Sequence, residues 1–335
     1  MPRIDPIFDS LFDSQRQLEK FRKSLVDWFT RDGRDYPWRR TSDPYRILVS
    51  ELMLQQTRIE TVLKRGYFQR WIDRFPDTVS LAAAEEAEIL KLWEGLGYYN
   101  RARNLQKTAE VVERTFGGHF PRTLDEVLGL PGVGRYTAGA VVSFAFGESA
   151  PIVDGNVVRV LSRIFGYAEP VDSTEAKSLF WSWAEKMTPE KKAREYNSGI
   201  MELGQRICSR TSPRCEICPV QEHCRAREDG TVGRIPQKSR KTKITERIER
   251  VAFIARNGAV FLTRETGSRR KGLWRLPEIS EDESADLVER LRFDYAITRY
   301  RVNLRVYEAN PGILSRIGNE DEGSWFALDA PQNWP

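Results

Sequence analysis

Two acidic residues of this chain stand in apolar company, and four cysteines crowd into one short segment. Glu51 lies within Leu48-Val49-Ser50-Glu51-Leu52-Met53-Leu54, a setting that raises a carboxyl pKa enough to keep it protonated near neutrality, as a general acid requires. The alternative for Glu51 is a solvent-facing helical glutamate. Asp154 interrupts the run Ile152-Val153-Asp154-Gly155-Asn156-Val157. A buried acid beside apolar residues is costly unless it caps a helix or does chemistry, and an N-cap can do both. The cysteines follow the spacing Cys208-x6-Cys215-x2-Cys218-x5-Cys224, and the chain has no others. In a reducing compartment such clustering argues for metal ligation over disulfides. Four thiolates so placed can enclose a tetranuclear iron-sulfur cluster or a single zinc ion, and spacing leaves both open.

A third pattern, Leu130-Pro131-Gly132-Val133-Gly134-Arg135-Tyr136-Thr137-Ala138, joins two amphipathic stretches. Gly132 and Gly134 permit a tight turn whose backbone N–H groups face a phosphate at the N-terminus of the next helix, where partial positive charge favours an anion. A plain turn between packed helices is the simpler reading. Arg206, Arg210, Arg214, Arg225 and Arg227 flank the cysteines, either as contacts to phosphates or as a solvated basic face.

The elements that must hold these residues are mostly helices. Leu18, Phe21, Leu25, Trp28 and Phe29 recur at helical spacing, and similar patterns fill 47–57, 59–74, 86–96, 101–116, 123–129 and 135–146. Breaks fall at Asp32-Gly33, Phe75-Pro76, Gly117-Gly118 and Pro131-Gly132. Residues 1–230 therefore form a helical domain. A polar, basic run at 231–245 reads as a linker. Beyond it, 246–335 is a small α+β domain: RVAFIAR, AVFLTRE, ITRYRVNLRVYE and GSWFAL are rich in β-branched and aromatic residues, with a helix predicted at 283–291. A length of 335 residues suits two domains. The formal charge of +5, from 53 basic and 48 acidic residues, permits a nucleic-acid partner without requiring one. No stretch is apolar over the roughly 18 residues of a membrane span, and the N-terminus lacks the apolar core of a secretory signal. An intracellular protein is expected, in the cytoplasm or nucleoid if prokaryotic.

Taken with the cysteine spacing, these motifs resemble the helix-hairpin-helix glycosylases of the endonuclease III superfamily, closest to the MutY-type adenine glycosylases. The likeness is strong over 18–225 and weak over 246–335. Carrying it are the cysteine segment, the Leu130–Ala138 hairpin with Asp154 downstream, Pro37-Trp38-Arg39, Ser50-Glu51-Leu52-Met53-Leu54-Gln55-Gln56-Thr57 and Gly95-Leu96-Gly97-Tyr98-Tyr99-Asn100-Arg101-Ala102-Arg103-Asn104. The resemblance implies a [4Fe-4S] cluster on the four cysteines and a mainly α fold with a shortened Nudix-like C-terminal domain. It also implies a monomer acting on duplex DNA that carries a mispaired or oxidised base pair. Glu51 would protonate N7 of a flipped adenine, Asp154 would stabilise the oxocarbenium-like sugar, and Tyr136 and Asn156 would shape the site. Gln56 would fill the gap left by the flipped base and Tyr98 would wedge near its opposite. Arg39, Gly132, Gly134, Arg135, Ser198, Thr298 and Arg299 complete the DNA-binding set. Superfamily members that cut the backbone carry Lys where Tyr136 stands, because an amine must attack C1′. A monofunctional glycosylase is therefore implied, one that hydrolyses the N-glycosidic bond and leaves an abasic site.

Two departures bear on the substrate. Ser198 occupies a place usually held by a Glu or Gln that touches adenine, and Ile297-Thr298-Arg299 stands where the family has a Phe-Ser-His loop that finds 8-oxoguanine. A glycosylase removing thymine or uracil opposite guanine, and a DNA-damage-binding protein without catalysis, are the competing readings.

Overall fold

The computed structural model describes residues 5–239, 244–265, 272–297, 299–317 and 323–329. The chain divides into two compact units, Met1–Ser239 and Arg240–Pro335.

The first unit is helical. Its order is α1 (Pro6–Leu11), α2 (Gln15–Asp32), α3 (Pro44–Leu54), α4 (Ile59–Lys64), α5 (Tyr67–Arg74), α6 (Thr78–Ala82), α7 (Glu86–Trp93), α8 (Asn100–Phe116), α9 (Leu124–Leu128), α10 (Arg135–Phe146), α11 (Gly155–Ile164), α12 (Thr174–Met187), α13 (Ala193–Arg206) and α14 (Arg225–Glu228). One core gathers α3, α5, α7 and α8 around Trp71, Phe75 and Trp93. Trp71 and Trp93 meet edge to face with centroids 5.2 Å apart, a geometry worth about 0.5–1.5 kcal/mol beyond area burial. The other core packs α1 and α2 on α11, α12 and α13. Between them runs α10, whose Ala138, Val141 and Val142 face the first core and whose Ala140 faces the second. That double burial explains why α10 is apolar on nearly every side.

Local chemistry sets the helix ends around the site. Asp43 caps α3 by accepting from the Tyr45 N–H at 2.9 Å, with Pro44 in the first turn. The pattern at 59–74 is two helices, because Gly66 adopts φ +62° and splits them. Gly139 lets α10 touch the segment before Asp154: a Cβ there would lie 2.2 Å from the Pro151 carbonyl oxygen.

The polar run expected to be a free linker is docked on the first unit as far as Ser239. Ile235 is buried and its carbonyl accepts from Arg163 Nε at 2.9 Å, while Ser239 N and Oγ both donate to Asp172 at 2.9 Å. Composition hid this, since Ile235 is the one fully buried apolar side chain in that stretch. The first unit thus extends past the expected boundary at 230.

The second unit contains β1 (Thr245–Arg256), β2 (Ala259–Arg264), β3 (Trp274–Arg275), α15 (Glu281–Ser284), β4 (Val288–Ile297), β5 (Tyr300–Ala309), α16 (Ile313–Ile317) and β6 (Gly323–Ala327). The strand order is β3-β2-β1-β5-β4, with β6 also paired to β2. β1 and β5 are parallel, from Thr245 opposite Tyr300 to Ile254 opposite Ala309. The helix predicted at 283–291 is corrected: α15 stops at Ser284, and Val288 already pairs antiparallel with Glu308. A register irregularity between Glu289 and Leu291 obscures the alternation that would have marked β4 as a strand. β4 ends the order, with Val288, Leu291 and Phe293 exposed. Among the described residues no helix is long and apolar enough to cross a membrane.

Candidate active site

Three helices bring the acidic residues together. Glu51 projects from the buried α3 and is only 6% exposed. Tyr136, in the first turn of α10, donates its hydroxyl proton to Glu51 Oε2 at 2.8 Å. Asp154 is the N-cap of α11: its Oδ1 accepts from the Val157 N–H at 2.7 Å and its Oδ2 from the Asn156 side-chain amide at 2.8 Å. The capping and chemical readings of Asp154 are therefore compatible, because one carboxylate oxygen serves each neighbour and lone pairs remain.

Burial lifts the Glu51 carboxyl to about 7, helped by the Asp154 charge and opposed by the Tyr136 hydroxyl and by Arg39. Burial also raises Asp154, against the pull of Val157, Asn156 and Arg159. The Tyr136 phenol is pushed well up by burial and by both carboxyls, so it stays a neutral donor. Glu51 is thus poised between its protonated and charged forms near neutral pH, the condition for general acid work.

Glu51 borders a narrow recess, partly open to solvent, that Trp38, Phe144, Ser198, Met201 and Gln205 also line. Tyr136 and Asp154 lie outside that lining, and Tyr136 reaches it through its hydrogen bond to Glu51. Ser198, Met201 and Gln205 recur along one face of α13. Arg39 borders the recess, but its guanidinium is already paired with the fully buried Glu202 and bonded to the Arg34 carbonyl at 2.8 Å. Burial works to raise Glu202, yet Arg39, Arg206 and the Arg34 N–H together hold it below the usual carboxylate range. Arg39 is therefore fixed as part of the wall.

The hairpin is as expected in shape. Gly132 takes φ +71°, Gly134 caps α10, and both are exposed. Arg135 is exposed too, with its guanidinium 4.1 Å from the centroid of Trp181. Gln56 and Tyr98 are exposed on separate loops, each at positive φ, +57° and +49°. In the second unit Arg299 is exposed and donates to the Tyr300 hydroxyl at 3.0 Å. Thr298 lies outside the described residues.

All four cysteines, none in a disulfide, line one recess with Ile207, Arg163 and Val232. Burial raises the thiols of Cys218 and Cys224 to about 12 and about 11. A group of high positive charge is what would hold four sulfurs as thiolates there, so the donor set fits an iron-sulfur cluster or zinc.

Sequence reasoning missed several residues. Arg159 donates to Asn156 Oδ1 at 2.9 Å, the Gly204 carbonyl at 2.6 Å and the Cys208 carbonyl at 2.8 Å, joining α11 to α13 and the cysteine segment. Arg163, 2% exposed, donates to Cys208 Sγ at 3.3 Å and the Ser209 carbonyl at 2.7 Å. Both are one helical step from an apolar position, where an arginine reads as surface. Gln205 carried no motif at all.

With this geometry in hand, comparison with known proteins is specific. The profile of the HhH-GPD superfamily of base excision DNA repair proteins matches residues 49–186. The human adenine DNA glycosylase is 41% identical over 227 residues, covering 65% of this chain and 41% of that protein. The adenine DNA glycosylase of Buchnera aphidicola subsp. Acyrthosiphon pisum is 33% identical over 267 residues, covering 79% of this chain and 76% of that protein. The chain thus spans under half the length of the mammalian relatives it matches. Among solved structures, a thermostable thymine-DNA glycosylase superposes with a TM-score of 0.58 at 33% identity, covering 64% of this chain and 98% of its own. Endonuclease III in a non-covalent DNA complex gives 0.53 at 26% identity, covering 65% and 98%.

Proposed function

Since the chain belongs to the helix-hairpin-helix superfamily of base excision repair proteins, among its MutY-type adenine glycosylases, we propose that it removes a mispaired adenine, opposite 8-oxoguanine or guanine, from duplex DNA. The observation that carries this reading is Glu51: a carboxyl raised to about 7, held by Tyr136 and close enough to Asp154 to feel its charge. The protonated form gives its proton to N7 of an adenine rotated into the recess. The C1′–N9 bond then breaks, its electron pair leaving with the base. Asp154 stabilises the cationic sugar, water adds to C1′, and the proton that water sheds returns to a carboxylate. Asn156 orients Asp154, and Tyr136, having no amine, leaves the product an abasic site without strand scission. Gln56 and Tyr98 enter the duplex as the base leaves it. Gly132, Gly134 and Arg135 take the phosphate backbone, and Thr298 and Arg299 read the opposite base. The cysteines hold a [4Fe-4S] cluster, whose charge is what lets the four sulfurs ligate as thiolates. A visible charge-transfer band with four irons per chain checks this, and stoichiometric zinc would refute it. The setting is intracellular, with the chain acting as a monomer.

A second reading rests on Ser198. Its short hydroxyl lines the recess where family members place a longer side chain, and a thymine-DNA glycosylase is among the similar structures. Single-turnover base release from duplexes with A or T opposite 8-oxoguanine or G, followed by alkaline cleavage, separates the two. Adenine release favouring 8-oxoguanine is expected, and thymine release opposite guanine would replace the first reading with the second.

A further inference from the structure

Arg101 is the second residue of α8, the end of a helix where a positive charge is disfavoured. It is 7% exposed and its guanidinium meets backbone carbonyls. Nη1 donates to Leu52 O at 2.6 Å, Met53 O at 3.2 Å and Gln55 O at 2.7 Å, and Nη2 donates to Leu96 O and Gly97 O, both at 2.9 Å. Three of these carbonyls end the helix that carries Glu51, where unpaired oxygens and the negative end of the dipole welcome a cation. The other two lie more than 40 residues further along the chain, in the loop before α8. Burial draws Arg101 down to about 10, still a full cation at neutral pH.

The pairing of targets is what gives this contact meaning. Among the described residues four non-glycine positions adopt positive φ: Gln56, Tyr98, Lys192 and Asn257. Two of the four directly follow carbonyls that Arg101 holds, Gln55 and Gly97. The guanidinium therefore pins the peptide units that set φ at Gln56 and at Tyr98. A backbone strained in this way persists only where its surroundings over-determine it.

We propose that Arg101 is a positioning residue that locks the two exposed loops into one unit, so that Gln56 and Tyr98 enter the duplex together at a fixed offset from Glu51. This rests on the glycosylase reading above and adds to it how base extrusion is tied to the acid. Lysine cannot reproduce the clamp, because a single ammonium has three donors at one point and the guanidinium fork reaches two separate loops.

The test uses the full chain with its metal group, as Arg101→Lys and Arg101→Gln, with thermal unfolding and visible spectrum as folding checks. Extrusion is followed with 2-aminopurine at the target position, beside single-turnover base release and duplex affinity. For Arg101→Lys, extrusion amplitude and release are expected to fall together, release by roughly 100-fold, as for a modest misplacement at a reaction centre. Duplex affinity should stay within about threefold, separating positioning from binding. In a Gln56→Ala/Tyr98→Ala background the same substitution should add less than about twofold, because its effect runs through those side chains. Wild-type extrusion in Arg101→Lys, full additivity in that background, or loss of the fold in both variants would each overturn the assignment. If the unaltered protein releases no base from any duplex, the glycosylase reading itself fails.

Discussion

Glu51 shows how burial turns an ordinary carboxyl into an acid that works at neutral pH. Because its folded pKa, about 7, lies above the unfolded value, the protonated form dominates below 7 and is lost above it. Base release at saturating DNA should therefore decline about tenfold per pH unit on the alkaline side of 7; a flat profile from 6 to 9 would remove Glu51 from the proton-donor role. The same displacement has a stability sign. The folded state keeps a proton that the unfolded chain releases, so this contribution is fully present below about pH 4 and disappears as pH rises to about 7. Glu51→Gln should thus be inactive yet more stable than the parent at pH 8, by on the order of 3 kcal/mol at most, with the difference vanishing near pH 4. Thermal unfolding across that range reads it directly. For Asp154, the Asn variant keeps the cap oxygen for Val157 and loses the charge. Base release should vanish while duplex binding persists, and loss of binding would make Asp154 purely structural.

At the scale of elements, the site depends on how closely α10 approaches the segment that leads into α11. Gly139→Ala places a methyl against the Pro151 carbonyl, a backbone atom that cannot swing aside. A cost of about 1–3 kcal/mol is expected, together with slower base release, because Asp154 is three residues beyond Pro151. Unchanged release with lowered stability would show that the α11 N-terminus is insulated from the strain. Much of this level was legible in the sequence. The cysteine spacing, the Pro-Gly-Val-Gly turn and the apolar setting of Glu51 are local signals, and each marked its element. What was hidden depends on distant partners. Arg101, Arg159 and Arg163 have the composition of a helix surface, and only the fold reveals that carbonyls from remote segments converge on them. The apolar spacing continues across Gly66 and so conceals the break between α4 and α5. The helix predicted at 283–291 runs into the first residues of β4 because the charged residues there fall at spacings that also suit a helix.

For the whole molecule, the boundary at Ser239 matters. Chains ending at 230 and at 239 should differ: the shorter one loses the buried Ile235, worth roughly 1.5–3 kcal/mol, and leaves Arg163 short of a carbonyl partner. Its midpoint of thermal unfolding should fall by several degrees relative to the longer one. Equal midpoints would mean that the 231–239 segment is passive. The longer piece should retain base release and lose preference for the opposite base, since that preference is assigned to the second unit. Within the full chain, Arg299→Ala should narrow the difference between 8-oxoguanine and guanine, measured as a ratio of single-turnover rates; an unchanged ratio would sink that role for Arg299.

The exposed edge of the second unit's sheet has a consequence for the protein outside the reaction. Among the described residues β4 has no strand on its outer side, and with Val288, Leu291 and Phe293 exposed along it such an edge is a template for further strands. What guards it is charge: Glu289, Arg290, Arg292 and Asp294 are interleaved with those residues, and the register shift between Glu289 and Leu291 interrupts the regular ladder. Changes that neutralise these charges would be silent in every rate measurement and would be felt first as poor solubility, in how concentrated the protein can become before it begins to stack upon itself.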